Sequence, residues 1–475
     1  MKTKVSPKVA SFGFEARPPL QGRLPQGMIY GVDDRPPASL VILAGLQWVG
    51  LINVYLVYLL VLSAESDLSP AVTAAMISAS MLALGLAALL QALPRGPVGS
   101  GYLGPAVLSA NYLGPSLAAT KAGGLALLFG MTAFAGVFQL IISPLVRRRN
   151  IMPPEIAGIV VFLIGVTVGL IGMRYTFLPA PGRQAVEHLA LVVSVATLCT
   201  AVGCTVWGKG ALRMLSPLIG ILVGYGISYA TGLWRPTTAK ALEGIGWVSL
   251  PSFGHISWSF DFYLALPFAI AAIAATVKTV GLIGLCQKLN DTERTTPDAE
   301  VLRRGVVADG LGTLMAGVFG TLGVNTMPSS VAIPAATGLA SRRIAFAIAA
   351  IFAVLALVPG AAMCLALMPR PVVGALALYT GSFVMVNGLQ SILSAPIDQK
   401  ATIVIGLSVI AGLAAEALPQ FRDQAMGWLQ PITSSSLVLG TLVAFLTRIV
   451  LATRVGTILQ NVQGRHRSVP TLPQQ

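Results

Sequence analysis

Charge is what this chain has least of. Only 10% of its 475 residues are Asp, Glu, Lys or Arg, where a water-soluble domain carries roughly 25%. That scarcity excludes an ordinary solvated surface. Histidine is rarer still: His188, His255 and His466 all read as outside the membrane core, so no intramembrane histidine cluster is on hand for a metal or a proton relay. The four cysteines (Cys199, Cys204, Cys286, Cys364) fall in or at the ends of apolar runs, without metal-ligand spacing. They read as small apolar residues. An enzyme would need His, Asp or Glu clustered at nucleophile–base or metal-ligand spacing, and the sequence offers none. We therefore expect no metal and no cofactor. The first 37 residues are polar and proline-rich, without the apolar h-region of a cleavable signal.

Hydrophobicity is what the chain has in plenty. Apolar residues make up 55% of it, and the mean hydropathy is +0.80. Apolar runs of ~20 residues recur along its length, the mark of an all-α polytopic membrane protein. We read fourteen spans: 38–62, 70–93, 99–119, 122–146, 153–173, 185–206 and 213–234, then 261–288, 303–322, 324–338, 342–368, 370–393, 400–418 and 433–453. The organisation is thus an N-terminal tail (1–37), a seven-span repeat (38–234), an extracytoplasmic loop (235–260), a second seven-span repeat (261–453) and a C-terminal tail (454–475).

The formal net charge of +14 invites a nucleic-acid reading. Its distribution argues otherwise. An even number of spans puts both termini on one side. Most of the 31 Lys and Arg residues, including Arg147-Arg-Arg149 and Arg342-Arg343, then fall on that side too. This is the positive-inside pattern; it places both termini in the cytoplasm, at the inner membrane, with the lipid bilayer as partner and no nucleic acid.

Lys278 breaks the pattern. It sits in the middle of the eighth span, far from either end. A charge there costs at least ~2.5–3.5 kcal/mol and marks a functional position by default. Lys288 is placed to reach an interface; Lys278 is not.

The third and tenth spans are irregular. One contains Gly99-Ser-Gly-Tyr-Leu-Gly-Pro105, then Gly114-Pro115; the other contains Gly320-Thr-Leu-Gly-Val-Asn-Thr-Met-Pro328, then Pro334. That density of glycine and proline does not build a full helix and predicts an extended piece followed by a half-helix. Tyr102, the centre of the first break, lies 62 residues after Leu40, where span one begins; Asn325 lies 62 after Tyr263, where span eight begins. Seven spans per half is odd, so the second half enters from the opposite side. Paired interruptions in an inverted repeat point to a midplane substrate site in a secondary transporter. Two half-helix starts would aim N–H groups and positive dipole ends at one place. Lys278 adds a third donor there. Asn325, Thr326, Ser329 and Ser330 offer neutral groups, though Ser and Thr also serve as helix–helix glue. Tyr102 offers a flat face, followed by Leu103 and Gly104. A small, planar, polar heterocycle suits this set.

Several motifs in order, over about residues 30–455, resemble the nucleobase–ascorbate transporters (nucleobase:cation symporter-2). Tyr30-Gly-Val-Asp-Asp-Arg-Pro-Pro37 resembles that family's approach to helix 1. Ala308-Asp-Gly-Leu-Gly-Thr313, Asn325-Thr326 and Ala340-Ser-Arg342 resemble helices 9 and 10, and Cys286-Gln-Lys-Leu-Asn-Asp291 the end of helix 8 in one subgroup. Met368-Pro-Arg-Pro-Val-Val-Gly-Ala375, with Gly388 further on, resembles the signature before helix 12, with Ala375 where a second glycine is usual. The resemblance implies a 7+7 inverted repeat. A core of helices 1–4 and 8–11 would carry the substrate, and a gate of helices 5–7 and 12–14 would form a homodimer. Two short strands would lie in broken helices 3 and 10.

The departures matter as much. Lys278 stands where many members have a base-binding glutamate; Gly281 and Leu282 follow one turn on, Leu282 where some members are polar. Ser330, or Ser329 if the register slips, stands where a carboxylate or amide is usual. Gln47-Trp48 replaces a Gln-His pair. A lysine cannot accept a base's N–H groups, so it favours an oxopurine, xanthine or urate, with uracil as another fit. Lys278 acts either as a fixed cation or, if desolvated, as a proton carrier. Asp309 reads either as a helix-end partner of Arg303 or Arg304 or as the charge partner or proton site of Lys278. The rival function is an inorganic- or organic-anion carrier of the sulfate-permease type, which shares the architecture and would also use a central cation.

Overall fold

In the computed structural model, the described residues are 28–147, 154–177, 188–208, 216–233, 254–291, 296–327, 329–393, 396–418 and 436–452, with Leu212 and Val248 standing alone. Among them, fifteen helices and two strands position the site. In the first half they are α1 (Ala38–Asn53), α2 (Val57–Glu65), α3 (Pro70–Ala92), β1 (Ala106–Leu108), α4 (Leu113–Ile142), α5 (Pro154–Phe177), α6 (His188–Trp207) and α7 (Ser216–Ala230). The second half holds α8 (Phe262–Asn290), α9 (Ala299–Val318), β2 (Val324–Thr326), α10 (Ser329–Thr337), α11 (Ile344–Ala356), α12 (Pro359–Ala366), α13 (Arg370–Ile392), α14 (Gln399–Ala417) and α15 (Ser436–Ala452).

Local chemistry sets the helix starts. Asp261, Asp298 and Asp398 accept from first-turn N–H groups of α8, α9 and α14, satisfying donors that a helix leaves open. Pro70, Pro359 and Pro371 occupy first-turn positions, where a missing N–H costs nothing. The span expected at 342–368 is not one helix. Its two pieces, α11 and α12, meet at 81°. Pro359 explains the break: it disfavours helical backbone at Val358, which adopts φ −104°, ψ 85°.

Both irregular spans take the expected form. Each runs from an extended piece into a half-helix. The first half-helix is the opening stretch of α4, which kinks at Gly123 and Gly124, where φ reaches +69°, and then resumes. The second is α10. The two extended pieces pair antiparallel, with Ala106 opposite Thr326, Val107 opposite Asn325 and Leu108 opposite Val324. Ser109 N–H to the Gly323 carbonyl and Met327 N–H to the Pro105 carbonyl, both 2.9 Å, extend the ladder at each end. Lone strands in a membrane would strand their polar backbone; here each half supplies the other's partner.

The helices sort into two groups. One holds α1–α4 and α8–α12, with α4 packed along α9 and α11 across α3 and α1. The other holds α5–α7 and α13–α15. The broadest contact of all is α5 against α13, built on two glycine heptads. Gly158, Gly165 and Gly172 meet Gly388, Gly381 and Gly374 in antiparallel order; a Cβ on Gly165 would stand 2.2 Å from the Met385 nitrogen, and one on Gly388 2.2 Å from the Phe162 nitrogen. Small residues at a seam let two backbones touch.

The segment before α1 is not a loose tail. Tyr30 and Leu339 form a parallel bridge, and Ala340 and Arg342 donate to the carbonyls of Tyr30 and Val32 at 2.9 and 3.1 Å. Arg342 pairs with Asp33 at 2.6 Å, and Ser341 donates to the Asp34 carbonyl at 2.7 Å. Burial lowers the Arg342 pKa and the Asp33 carboxylate opposes that shift. Residues 29–34 thus strap the link between α10 and α11. Of the loop expected at 235–260, the described part folds onto the helices: Ser259 N–H bonds the Ala126 carbonyl at 2.9 Å, and Trp258 Nε1 the Gly317 carbonyl at 3.1 Å.

Candidate functional site

The strand crossing is where polar side chains gather. Asp309, on α9, is only 2% exposed. It accepts from the Thr279 hydroxyl on α8, from Asn325 Nδ2 at 2.9 Å, and from Thr326 through both its N–H at 3.3 Å and its hydroxyl at 2.9 Å. Asn325 Nδ2 also donates to the Ala275 carbonyl at 3.0 Å and to Thr279 at 2.8 Å. Thr313 binds the Val324 carbonyl at 2.8 Å. These bonds pin β2 to α8 and α9. A buried carboxylate is tolerable only with such partners. Arg303 bonds Glu300 instead, and Arg304 donates to the carbonyls of Leu93 and Val98, so the helix-end reading of Asp309 gives way. Because α9 begins at Ala299, Asp309 lies about three turns in, deep in the bundle rather than at its edge.

Lys278 precedes Thr279 on α8 and is half-buried. Its ammonium lies within electrostatic reach of Asp309, yet among the described residues no direct ion pair joins them. Gly281, one turn on, is exposed, and a Cβ there would meet open space; Leu282 is half-buried. The face carrying Lys278 and Gly281 is therefore the uncrowded face of α8.

The first broken segment reaches the same region. Leu103 is buried, and Gly104 lies so close that its Cβ would stand 3.3 Å from Gln91 and 3.5 Å from Thr326. Tyr102, 8% exposed, packs with Val32, Ile283, Cys286 and Leu302 on the side of α8 toward its C-terminus. The Cys286 thiol donates to the Ser330 carbonyl at 3.8 Å, which brings the opening turn of α10 to that cluster. The Ser330 hydroxyl is buried without a hydrogen-bond partner among the described residues, as is Gln47 Nε2 on α1. Trp48, 1% exposed, is ordinary core. The Ser329 side chain lies outside the described set.

Two participants do not stand out in the sequence. Gln91 on α3 donates to Thr326 at 3.0 Å, and its own carbonyl accepts from Gly101 N–H at 3.1 Å and Ser100 Oγ at 3.3 Å. It clasps one broken segment to the other. Its one signal is that of a lone amide in an apolar helix. Thr279 has a weaker one, since a hydroxyl in a span usually bonds its own helix.

Comparison with known proteins identifies the family and the fold. The model of the xanthine/uracil Permease family matches residues 40–421. The xanthine permease XanP of Escherichia coli is 27% identical over 442 residues, covering 89% of this chain and 94% of the relative. The uric acid transporter UacT of Escherichia coli is 24% identical over 418 residues, covering 86% and 85%. Among solved structures, the transmembrane domain of the cyanobacterial bicarbonate transporter BicA superposes with a TM-score of 0.56 at 15% identity, over 88% of this chain and 100% of that one. That likeness concerns the fold.

Proposed function

Since this chain belongs to the Permease family of xanthine and uracil carriers, the nucleobase–ascorbate transporters, we propose that it moves an oxopurine such as xanthine or urate across the membrane by alternating access. It is a multi-pass nucleobase permease rather than an enzyme. The observation that carries the substrate class is Lys278: a half-buried ammonium on the open face of α8, beside the Asp309 network and without a direct ion pair among the described residues. A cation offers donors only. It suits the carbonyl oxygens or the monoanion of an oxidised purine better than the N–H edge of adenine. Ser330, with its hydroxyl unpartnered among the described residues, is the second contact; Tyr102, Leu103 and Gly104 would bound the base plane, and Asp309, Asn325 and Thr326 would hold the crossing rigid. Asp309 is the acid through which a proton could couple to transport. The core group would carry the base past a gate whose helices also form a homodimer in the inner membrane.

The test is a panel of purines and pyrimidines in thermal-shift binding, with radiolabelled uptake into proteoliposomes. Xanthine or urate should raise the melting temperature and adenine should not, and Lys278→Ala should lose the effect. A thermal shift with sulfate or bicarbonate, and no response to any base, would instead mark an anion carrier. Transport independent of pH in both the wild type and Lys278→Gln would remove the lysine as proton carrier and leave it a fixed cation.

A further inference from the structure

The proline-flanked motif Met368–Ala375 plays no part in the site above, yet its Arg370 is placed with care. The guanidinium carbon stands 4.4 Å from the centroid of the Tyr175 ring, a cation–π contact between α13 and α5. Gly374 leaves room for it: a Cβ there would lie 2.8 Å from the Tyr175 Cβ. The ring so seated is 4% exposed. Its hydroxyl donates to the Glu65 carboxylate at 3.0 Å and lies 3.5 Å from the Val61 carbonyl. Both acceptors are on α2. Tyr175 and Arg370 thus belong to one helix group and Glu65 to the other.

A second bond crosses at the same end. The Tyr225 hydroxyl on α7 donates to the Cys364 carbonyl on α12. The ends of α2 and α5 and the start of α13 all lie on the side that the charge distribution assigns to the outside. If the two groups rock against each other, these contacts must break whenever that end opens.

The geometry points to a latch: Tyr175, held in place by Arg370, ties gate to core through Glu65 and keeps the extracytoplasmic end shut in this conformation. A hydrogen bond to a charged acceptor, half out of water, is strong enough to set a conformational ratio. The latch adds a conformational device to the transporter reading and makes no use of its substrate site.

The test needs no substrate. Spin labels at Ala64 on α2 and Phe177 on α5, both exposed, report the gap between the groups by pulsed-resonance distance measurement in the full chain in nanodiscs. Tyr175→Phe keeps the ring under Arg370 and removes the donor. It should add a longer-distance population, moving the closed-to-open ratio by about tenfold or more. Glu65→Ala should do the same, and the double variant should add little to either single one. Glu65→Gln keeps an acceptor but loses its charge and should fall between wild type and Glu65→Ala. An unchanged distribution in both Tyr175→Phe and Glu65→Ala would overturn the latch. Should Tyr175→Phe fail to fold, Glu65→Ala alone decides.

Discussion

Four donors from three residues converge on the Asp309 carboxylate. Replacing one carboxylate oxygen by an amide would aim an N–H group at part of this donor set, and Asn325 alone among the three has other acceptors, the Ala275 carbonyl and Thr279. Each stranded buried donor costs roughly 1–3 kcal/mol. Asp309→Asn should therefore lower the melting temperature in detergent and abolish uptake, whereas Thr279→Ser, which keeps its hydroxyl, should do neither. A variant that melts normally but does not transport would give Asp309 a role in proton movement beyond holding β2. Sequence alone places Lys278 in the membrane, because charge in an apolar run is visible without a fold. It does not assign Asp309, whose partners are chosen by the β1–β2 register and by how deeply α9 is set. Gln91 is hidden for the same reason: its side-chain partner, Thr326, lies 235 residues further along the chain.

At the scale of elements, the α5–α13 seam makes the sharpest forecast. A methyl on Gly165 would enter the backbone of α13 at 2.2 Å, while one on Gly169, a turn away, would meet nothing within 4 Å. Gly165→Ala should destabilise by roughly 1–3 kcal/mol through overpacking. Gly169→Ala should be neutral or slightly stabilising, since alanine is the better helix former. Thermal melts of the two variants side by side decide it. The heptad spacing is present in the sequence, but nothing there pairs Gly158 with Gly388 rather than with another glycine stripe. The broken spans are legible in outline because glycine and proline density forbids a continuous helix. The bend between α11 and α12 is not, because the apolar run continues from Pro359 to Met368 and reads as one span.

For the whole molecule, hydropathy reads the order of apolar segments well, since bilayer thickness imposes their length. Grouping the helices into core and gate comes from family resemblance, because packing partners leave no periodic trace in a chain that is apolar on every face. Sidedness is carried by charge alone. A fluorescent protein fused after Gln475 should be bright and an alkaline phosphatase fusion there inactive, with the reverse result after Pro251 in the 235–260 loop. The opposite pattern would turn the molecule over in the membrane and move the Tyr175 latch to the cytoplasmic face.

The seam between residues 29–34 and the α10–α11 link also makes the residues just before α1 part of the folded unit. A hydropathy plot would let an experimenter trim the chain back to Ala38 and regard the discarded part as leader. That cut would leave the carbonyl partners of Ala340 and Arg342 missing, take Asp33 away from Arg342, and pull Val32 out from beneath Tyr102. Purification tags and shortened versions of the gene should leave everything from Met28 onward in place.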